Sequence, residues 1–237
     1  MKLSKRLKKI DGLVETGYDH IWDCCCDHGY LGAHLLSRGA GRHIHFVDIV
    51  PKLMSEVESN LQRFFVNSDM PWSVHCIDVA TIPLNQHKGR HLIIIAGVGG
   101  DLMISLMQAI LERHPDRSFD FLLCPVYHQY QVRRYLNEQG FLLNEELLME
   151  ENSRYYEILF VSLDANNEKM GQPVSLTGID IWKPKNKDAF STAKAYLDKT
   201  IAHYQRIAKG NSAEYQSIVT AYKNIEIKRI PKASNVA

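Results

Sequence analysis

Trp22-Asp23-Cys24-Cys25-Cys26-Asp27-His28-Gly29-Tyr30-Leu31 is the stretch on which the fold turns. Ile21 and Trp22 read as the end of a buried strand. Leu31-Gly32-Ala33-His34-Leu35-Leu36 has the apolar spacing of a helix closed by Gly39. A strand, a tight acidic turn and a helix form the opening unit of a βαβ sheet that takes a nucleotide at its strand ends. The turn lacks Gly-x-Gly-x-x-Gly and carries Asp23 and Asp27 instead. A dinucleotide pyrophosphate needs close backbone approach and a positive helix N-terminus, and Asp27 would repel it. A cationic adenosyl cofactor, S-adenosylmethionine, has no phosphate and carries a positive sulfonium, so acids at this turn favour it.

Working outward, residues 18–23 form the first strand, and His43-Ile44-His45-Phe46-Val47-Asp48 alternates into a second that ends in an acid. Asp48 stands where α/β nucleotide folds accept hydrogen bonds from a ribose diol. Pro51 suits the first position of a helix running to about residue 67. Trp72-Ser73-Val74-His75-Cys76-Ile77-Asp78 reads as a third strand, with Asp78 placed to accept from the exocyclic amine of adenine. Arg90-His91-Leu92-Ile93-Ile94-Ile95-Ala96 is the most apolar run and therefore the central strand. It opens onto Gly97-Val98-Gly99-Gly100, where small residues let backbone or ligand approach closely. A helix over 101–113 and a strand over 119–124 follow. Cys124-Pro125-Val126-Tyr127-His128 then leads into a helix ending at Gly140. Tyr127 is a candidate for stacking on a base, or an ordinary surface tyrosine. Residues 141–150 and 155–163 are expected to pair antiparallel at one edge of the sheet.

Leu3, Leu7, Ile10 and Val14 fall at helical spacing among five basic residues in the first ten, and Ser4 lies where a cap is needed. Lys5 and Arg6 could touch nucleic-acid phosphate from this helix or form its solvated face. No apolar run approaches the ~20 residues of a membrane span, and no apolar segment follows the basic start as in a secretion signal. The expected location is the cytoplasm. Three consecutive cysteines point to alternate sides and cannot converge on one zinc, so free thiols and no metal are expected. The 237 residues divide in charge: 11 Lys and Arg stand against 4 Asp and Glu from Lys183 onward, and 17 against 23 before it. That pattern suits a polyanion-facing appendage beside an acidic body, or a solvated helical face. Residues 1–164 are expected to form the cofactor-binding catalytic domain, 165–185 a linker, and 186–230 a helical hairpin packed mostly on itself. The two hairpin helices are separated at Gly210-Asn211-Ser212.

With these residues in view, the chain resembles the TrmK family of tRNA adenine-N1 methyltransferases. Leu3-Ser4-Lys5-Arg6-Leu7, the Asp23–Leu31 turn, Ala96-Gly97-Val98-Gly99-Gly100, Tyr156-Glu157-Ile158-Leu159 and the C-terminal helices carry the likeness. The family writes the turn Asp-Ile-Gly-Ser-Asp-His-Ala-Tyr-Leu-Pro, and the Asp-His plus Tyr-Leu pairing is its distinctive part. The resemblance implies an α/β class, a Rossmann-like class I methyltransferase sheet with a coiled-coil-like helical hairpin. It implies S-adenosylmethionine as cofactor and methylation of adenine 22 in tRNA. On it, Asp23, Cys25, His28, Tyr30, Leu31, Asp48, Asp78, Ala96 and Gly97 are expected around the cofactor. Lys5, Arg6 and Tyr127 are expected on the RNA. Cys25 replaces the family's turn glycine, Val98 a methionine and Asp48 a glutamate. Cys124-Pro125-Val126 stands for Gln-Pro-Asn, which removes two side-chain amides suited to holding a base edge.

Adenine N1 has an in-plane lone pair and needs no strong base before attack, so positioning and exclusion of water supply most of the rate. Methylation leaves the ring cationic, and a carboxylate nearby would stabilise it or take a proton from the exocyclic amine. Asp27 is the candidate, with helix capping or holding of the cofactor amino group as its alternative roles. Two other functions compete: a methyltransferase acting on another substrate, which the Cys124-Pro125-Val126 change invites, and a non-catalytic RNA-binding relative. Asp23, Asp27, Asp48 and Asp78 argue against the second.

Overall fold

The computed structural model describes residues 3–66, 68–164, 171–209 and 213–228. Helix α1 (Lys5–Leu13) leads into β1 (Tyr18–Cys24), α2 (Tyr30–Ser37), β2 (Gly41–Asp48), α3 (Pro51–Phe64) and β3 (Trp72–Cys76). Strand β4 (His91–Ala96), α4 (Gly100–Arg113), β5 (Phe119–Cys124), α5 (Gln129–Glu138), β6 (Leu142–Glu151) and β7 (Arg154–Leu163) follow. The short β8 (Gln172–Pro173) and helices α6 (Lys187–Ala208) and α7 (Ala213–Lys223) complete the chain. The sheet has eight strands in the order β3-β2-β1-β4-β5-β7-β6-β8. β1 to β5 are parallel neighbours, and β7, β6 and β8 join antiparallel.

Sequence chemistry accounts for these elements. Ser4 caps α1 by accepting from the Leu7 amide at 3.2 Å, and Pro51 opens α3, where its missing N–H costs nothing. β4 lies between β1 and β5 with five of its six residues buried, which is why it reads as an unbroken apolar run. Leu92, Ile94 and Leu122 face one core layer with α1, α2 and α3, while Ile93, Ile95, Phe121 and Leu123 face a second with α4 and α5. Most boundaries fall within one residue of the sequence reading, β2 begins two earlier at Gly41, and two ends fall short. α3 stops at Phe64, and β3 stops at Cys76 because Asp78 turns to cap a 3-10 turn, accepting from the Ala80 amide at 2.9 Å.

The hairpin helices do more than pack on each other. A third core joins Tyr196, Leu197, Tyr204, Ile218, Val219 and Tyr222 to Tyr130 of α5 and to Ile181 and Trp182 ahead of α6. Beneath it, Arg133 is fully buried and paired with Glu146 at 2.7 Å and Glu157 at 2.6 Å. Glu146 also accepts from the Ile179 amide at 2.5 Å and the Asp180 amide at 2.6 Å, while the Tyr196 hydroxyl donates to Glu157 at 2.6 Å. A buried arginine persists only when its charge and donors are matched, and here they fasten β6, β7, residues 175–180 and α6 together. Residues 172–181 are thus tied to the sheet and to α5. Residues 165–170 and the expected helix break at 210–212 lie outside the described residues.

Candidate functional site

The ends of the parallel strands meet at the Cys24–Tyr30 turn. The Cys26 amide donates to the Val47 carbonyl at 3.2 Å, and the Asp27 amide to the Asp48 carboxylate at 3.1 Å, so the turn is tied to the end of β2. Asp48 also accepts from Val50, and its carbonyl from Ile77, which draws the end of β3 alongside. Each Asp48 oxygen therefore holds one backbone N–H and keeps a second lone pair for a diol. Cys25 and Asp27 both adopt left-handed backbone, at φ 55° and 51°. Cys25 thus stands in a conformation that a Cβ disfavours by about 1–2 kcal/mol and that glycine adopts freely. Gly97 (φ 87°) holds the end of β4 open, and its amide donates to the Cys124 carbonyl at 3.1 Å.

Charge at this end is acidic. Asp23 is 4 % exposed beneath the turn and accepts from the Gly32 amide at 2.8 Å. Burial pushes its carboxyl up to about 7, reinforced by the charge of Asp48 and opposed by the Gly32 N–H. Burial likewise raises the Cys25 thiol to about 12, with Asp48, Asp23 and Asp78 adding to it. The charges of the same three carboxylates thus act on one thiol, and Cys24, Cys25 and Cys26 are all held in their protonated form. All five cysteines are free. An acid-lined cradle with left-handed turn residues and an open Gly97 suits a cationic adenosyl group and opposes a pyrophosphate. Asp27 is well exposed, 3.7 Å from His28, whose ring stacks on Tyr30.

The opposite wall comes from α1 and the loop after β5. The Arg6 guanidinium lies 4.8 Å over the Tyr156 ring, and one of its terminal nitrogens lies 3.7 Å from where a Gly97 side chain would begin. Its Nε is buried without a hydrogen-bond partner. Tyr127 packs so closely on Gly99 that an alanine methyl there would sit 2.3 Å from the ring, while 53 % of the residue is exposed. Gly99 thus seats the tyrosine as a platform. His128, left-handed at φ 62°, pairs with Asp101 at 2.8 Å and fixes the loop to α4. Beyond Tyr127 a groove of about 490 Å³ runs to α6, lined by Arg154, Tyr155, Lys199, His203 and Arg206 among others.

Of the residues singled out from sequence, Asp23, Cys25, Asp27, Asp48, Asp78, Ala96 and Gly97 meet at one strand-end cradle. Arg6 reaches it from α1, and Tyr127 stands at its far lip. His28 and Tyr30 flank the turn on the surface. Leu31 is 3 % exposed and belongs to the first core layer, where it shapes the turn by packing. Lys5 is exposed on α1. Cys124 is fully buried, so the first position of Cys124-Pro125-Val126 presents no side chain to a ligand. Arg154, Lys199 and Arg206 were not singled out. The signal for Lys199 and Arg206 was the positive tail, and Arg154 had none of its own; only the docking of α6 beside Tyr127 shows which basic residues share a groove.

A parallel sheet in this order, extended by an antiparallel pair and carrying acids at the ends of its first three strands, is that of a class I methyltransferase. The methyltransferase-domain family matches residues 3–159, and the chain belongs to that family. It is similar to the tRNA (adenine(22)-N(1))-methyltransferase of Bacillus subtilis, 24 % identical over 219 residues covering 90 % of this chain and 89 % of that protein. Among solved structures it is similar to M. capricolum TrmK in complex with S-adenosyl-homocysteine, with TM-score 0.72, 18 % identity and 94 % and 96 % of the two chains covered. It is also similar to the B. subtilis M1A22 tRNA methyltransferase TrmK, with TM-score 0.67, 22 % identity and 94 % and 95 % covered.

Proposed function

We propose that this chain is an S-adenosylmethionine-dependent methyltransferase that methylates N1 of adenine 22 in tRNA. The observation that carries the reading is the acidic cradle: Asp23, Asp48 and Asp78 gather around the Cys25–Asp27 turn in a chain similar over nine-tenths of its length to an enzyme of that name. When bound, the cofactor supplies an electrophilic methyl group. Asp48 would accept from the ribose diol, Asp78 through its free oxygen from the adenine amine, and the Arg6 terminal nitrogen beside Gly97 would meet a carboxylate or phosphate oxygen. The left-handed turn holds Asp27 outward at the mouth of the cradle, where its carboxylate would offset the positive charge that a newly methylated adenine acquires. Tyr127 offers a face for a base worth about 1–3 kcal/mol of stacking. The groove behind it, with Arg154, Lys199 and Arg206, would carry the adjoining phosphates. On this reading residues 1–164 bind the cofactor, 186–230 contact RNA, and the location is the cytoplasm, where tRNA is modified. No helix among the described residues is long and apolar enough to cross a membrane.

The test is transfer of labelled methyl from S-adenosylmethionine to total tRNA, followed by nucleoside analysis. 1-Methyladenosine that disappears with Asp27→Ala supports the reading. Cofactor binding without transfer to any tRNA would move the chain to another substrate.

A further inference from the structure

Six histidines gather on one face of the sheet, running from the end remote from the cradle, at His20, His43 and His91, up to His75 on β3. The parallel register sets His43, His20 and His91 side by side across β2, β1 and β4, and sets His45 beside Trp22 in the next row. His75 of β3 and His87 from the segment before β4 close over them, the His87 ring 4.6 Å from that of His20 and 4.8 Å from that of His45. Trp22 floors the group, stacked on His45 at 3.8 Å, and donates its indole N–H to His91 at 3.1 Å. His20 lies four residues before Cys24, so the row of His20, His43 and His91 is about 13 Å down the strand from the turn. None of these rings is used in the proposed chemistry.

Two close ring-nitrogen contacts run in series, with the tautomer deciding which carries a proton: His20 Nδ1 to His45 Nε2 at 3.0 Å, and His45 Nδ1 to His75 Nε2 at 3.0 Å. The His20 ring also bonds the backbone of Lys88. With His20 donating to Lys88, and His45 donating through Nδ1 to His75, the two facing nitrogens, His20 Nδ1 and His45 Nε2, both present lone pairs. A cation between them converts that repulsion into ligation. His75 and the Lys88 backbone then serve as the outer partners that fix tautomer and ring orientation. A ring nitrogen of His43 completes a set of three whose ligand atoms all lie within 4.8 Å of one another. Tetrahedral zinc at about 2.0–2.1 Å from each nitrogen needs separations near ~3.4 Å, so His43, whose Nε2 bonds Ser73 Oγ at 2.9 Å and whose ring stacks on His45 at 4.1 Å, must exchange those contacts for the ion by turning at χ1 and χ2.

We propose that His20, His43 and His45 form a binding site for a divalent first-row ion of the zinc class, with its fourth position open to water. An all-imidazole set of neutral ligands matches that class and disfavours magnesium and calcium, which require oxygen donors. The expectation of no metal drawn from the cysteines is thereby revised on different residues.

Calorimetric titration of the full, untagged chain with Zn²⁺, paralleled by Co²⁺ absorption, tests the site. One equivalent bound at micromolar affinity or tighter is expected. His43→Gln and His20→Gln should each weaken binding at least tenfold, whereas Cys76→Ser, which removes the exposed thiol, should leave it unchanged. S-adenosylmethionine affinity serves to show that each variant is folded. In the unmodified chain, Zn²⁺ should also shift the imidazole ¹⁵N resonances of His20, His43 and His45. Absence of saturable binding, binding that survives both histidine changes, or loss of binding on Cys76→Ser would overturn the assignment.

Discussion

Asp27 sits at φ 51°, its amide fixed on Asp48 and its carboxylate directed outward, so it can act on substrate without first leaving a structural role. Asp27→Ala is expected to lower kcat by 10²-fold or more, the scale of lost charge stabilisation or proton transfer, with cofactor affinity changed far less. Single-turnover rates and cofactor titration separate the two. Cys25 lies next door in the same left-handed region. Cys25→Gly should remove about 1 kcal/mol of strain and raise Tm by about 2–4 °C, read by thermal unfolding of the cofactor-free chain. Asp23 carries a pH signature. Its native value of about 7 lies above the ordinary 3.8, so the stability it contributes is full below about pH 4 and is lost as pH rises through 7. Asp23→Asn should therefore be more stable than the parent at about pH 8 and equal to it at about pH 3.5. At about pH 8, where the Asp23 carboxyl is charged, the same variant should bind S-adenosylmethionine at least tenfold more weakly, because it lacks the charge that the sulfonium favours. Equal denaturant midpoints at both pH values would contradict the buried-carboxyl account.

At the scale of elements, periodicity and capping residues made most of the sheet legible. β5 runs over 119–124 as read from Phe119-Asp120-Phe121-Leu122-Leu123-Cys124, and α1 starts after the Ser4 cap. The cradle was legible because strand-end acids are local features of each strand. The histidine group was not: its members come from four strands and a turn, and only the parallel register places His20 beside His43 and His91. His43-Ile44-His45 carried half the signal, since alternate residues on a strand share a face. The clamp on the hairpin was equally hidden, because Arg133, Glu146, Glu157 and Tyr196 are far apart in sequence and meet only after β6 and β7 pair. Tyr196→Phe leaves a buried Glu157 oxygen without its donor and should cost about 1–3 kcal/mol. A denaturant midpoint matching the parent would show that the hydroxyl does not fasten α6 to the sheet.

The molecule as a whole sets an acidic cradle against a basic, aromatic groove, joined at Tyr127. The charge division was visible in composition, but its meaning depended on where α6 docks. RNA held in the groove should release counterions, so affinity should fall steeply with salt. Lys199→Glu with Arg206→Glu should flatten that dependence by about two units of log–log slope while sparing cofactor binding, measured by fluorescence anisotropy of labelled tRNA. Charge reversal is the suitable probe, since deletion of α6 would also remove the partner of Glu157. The central claim is tested most directly by methyl transfer to two tRNA transcripts that differ only at position 22. Labelled 1-methyladenosine in the transcript with adenine there, and none in the one with guanine, is the result expected. Equal labelling of both transcripts, or of neither while the cofactor is bound, would contradict it.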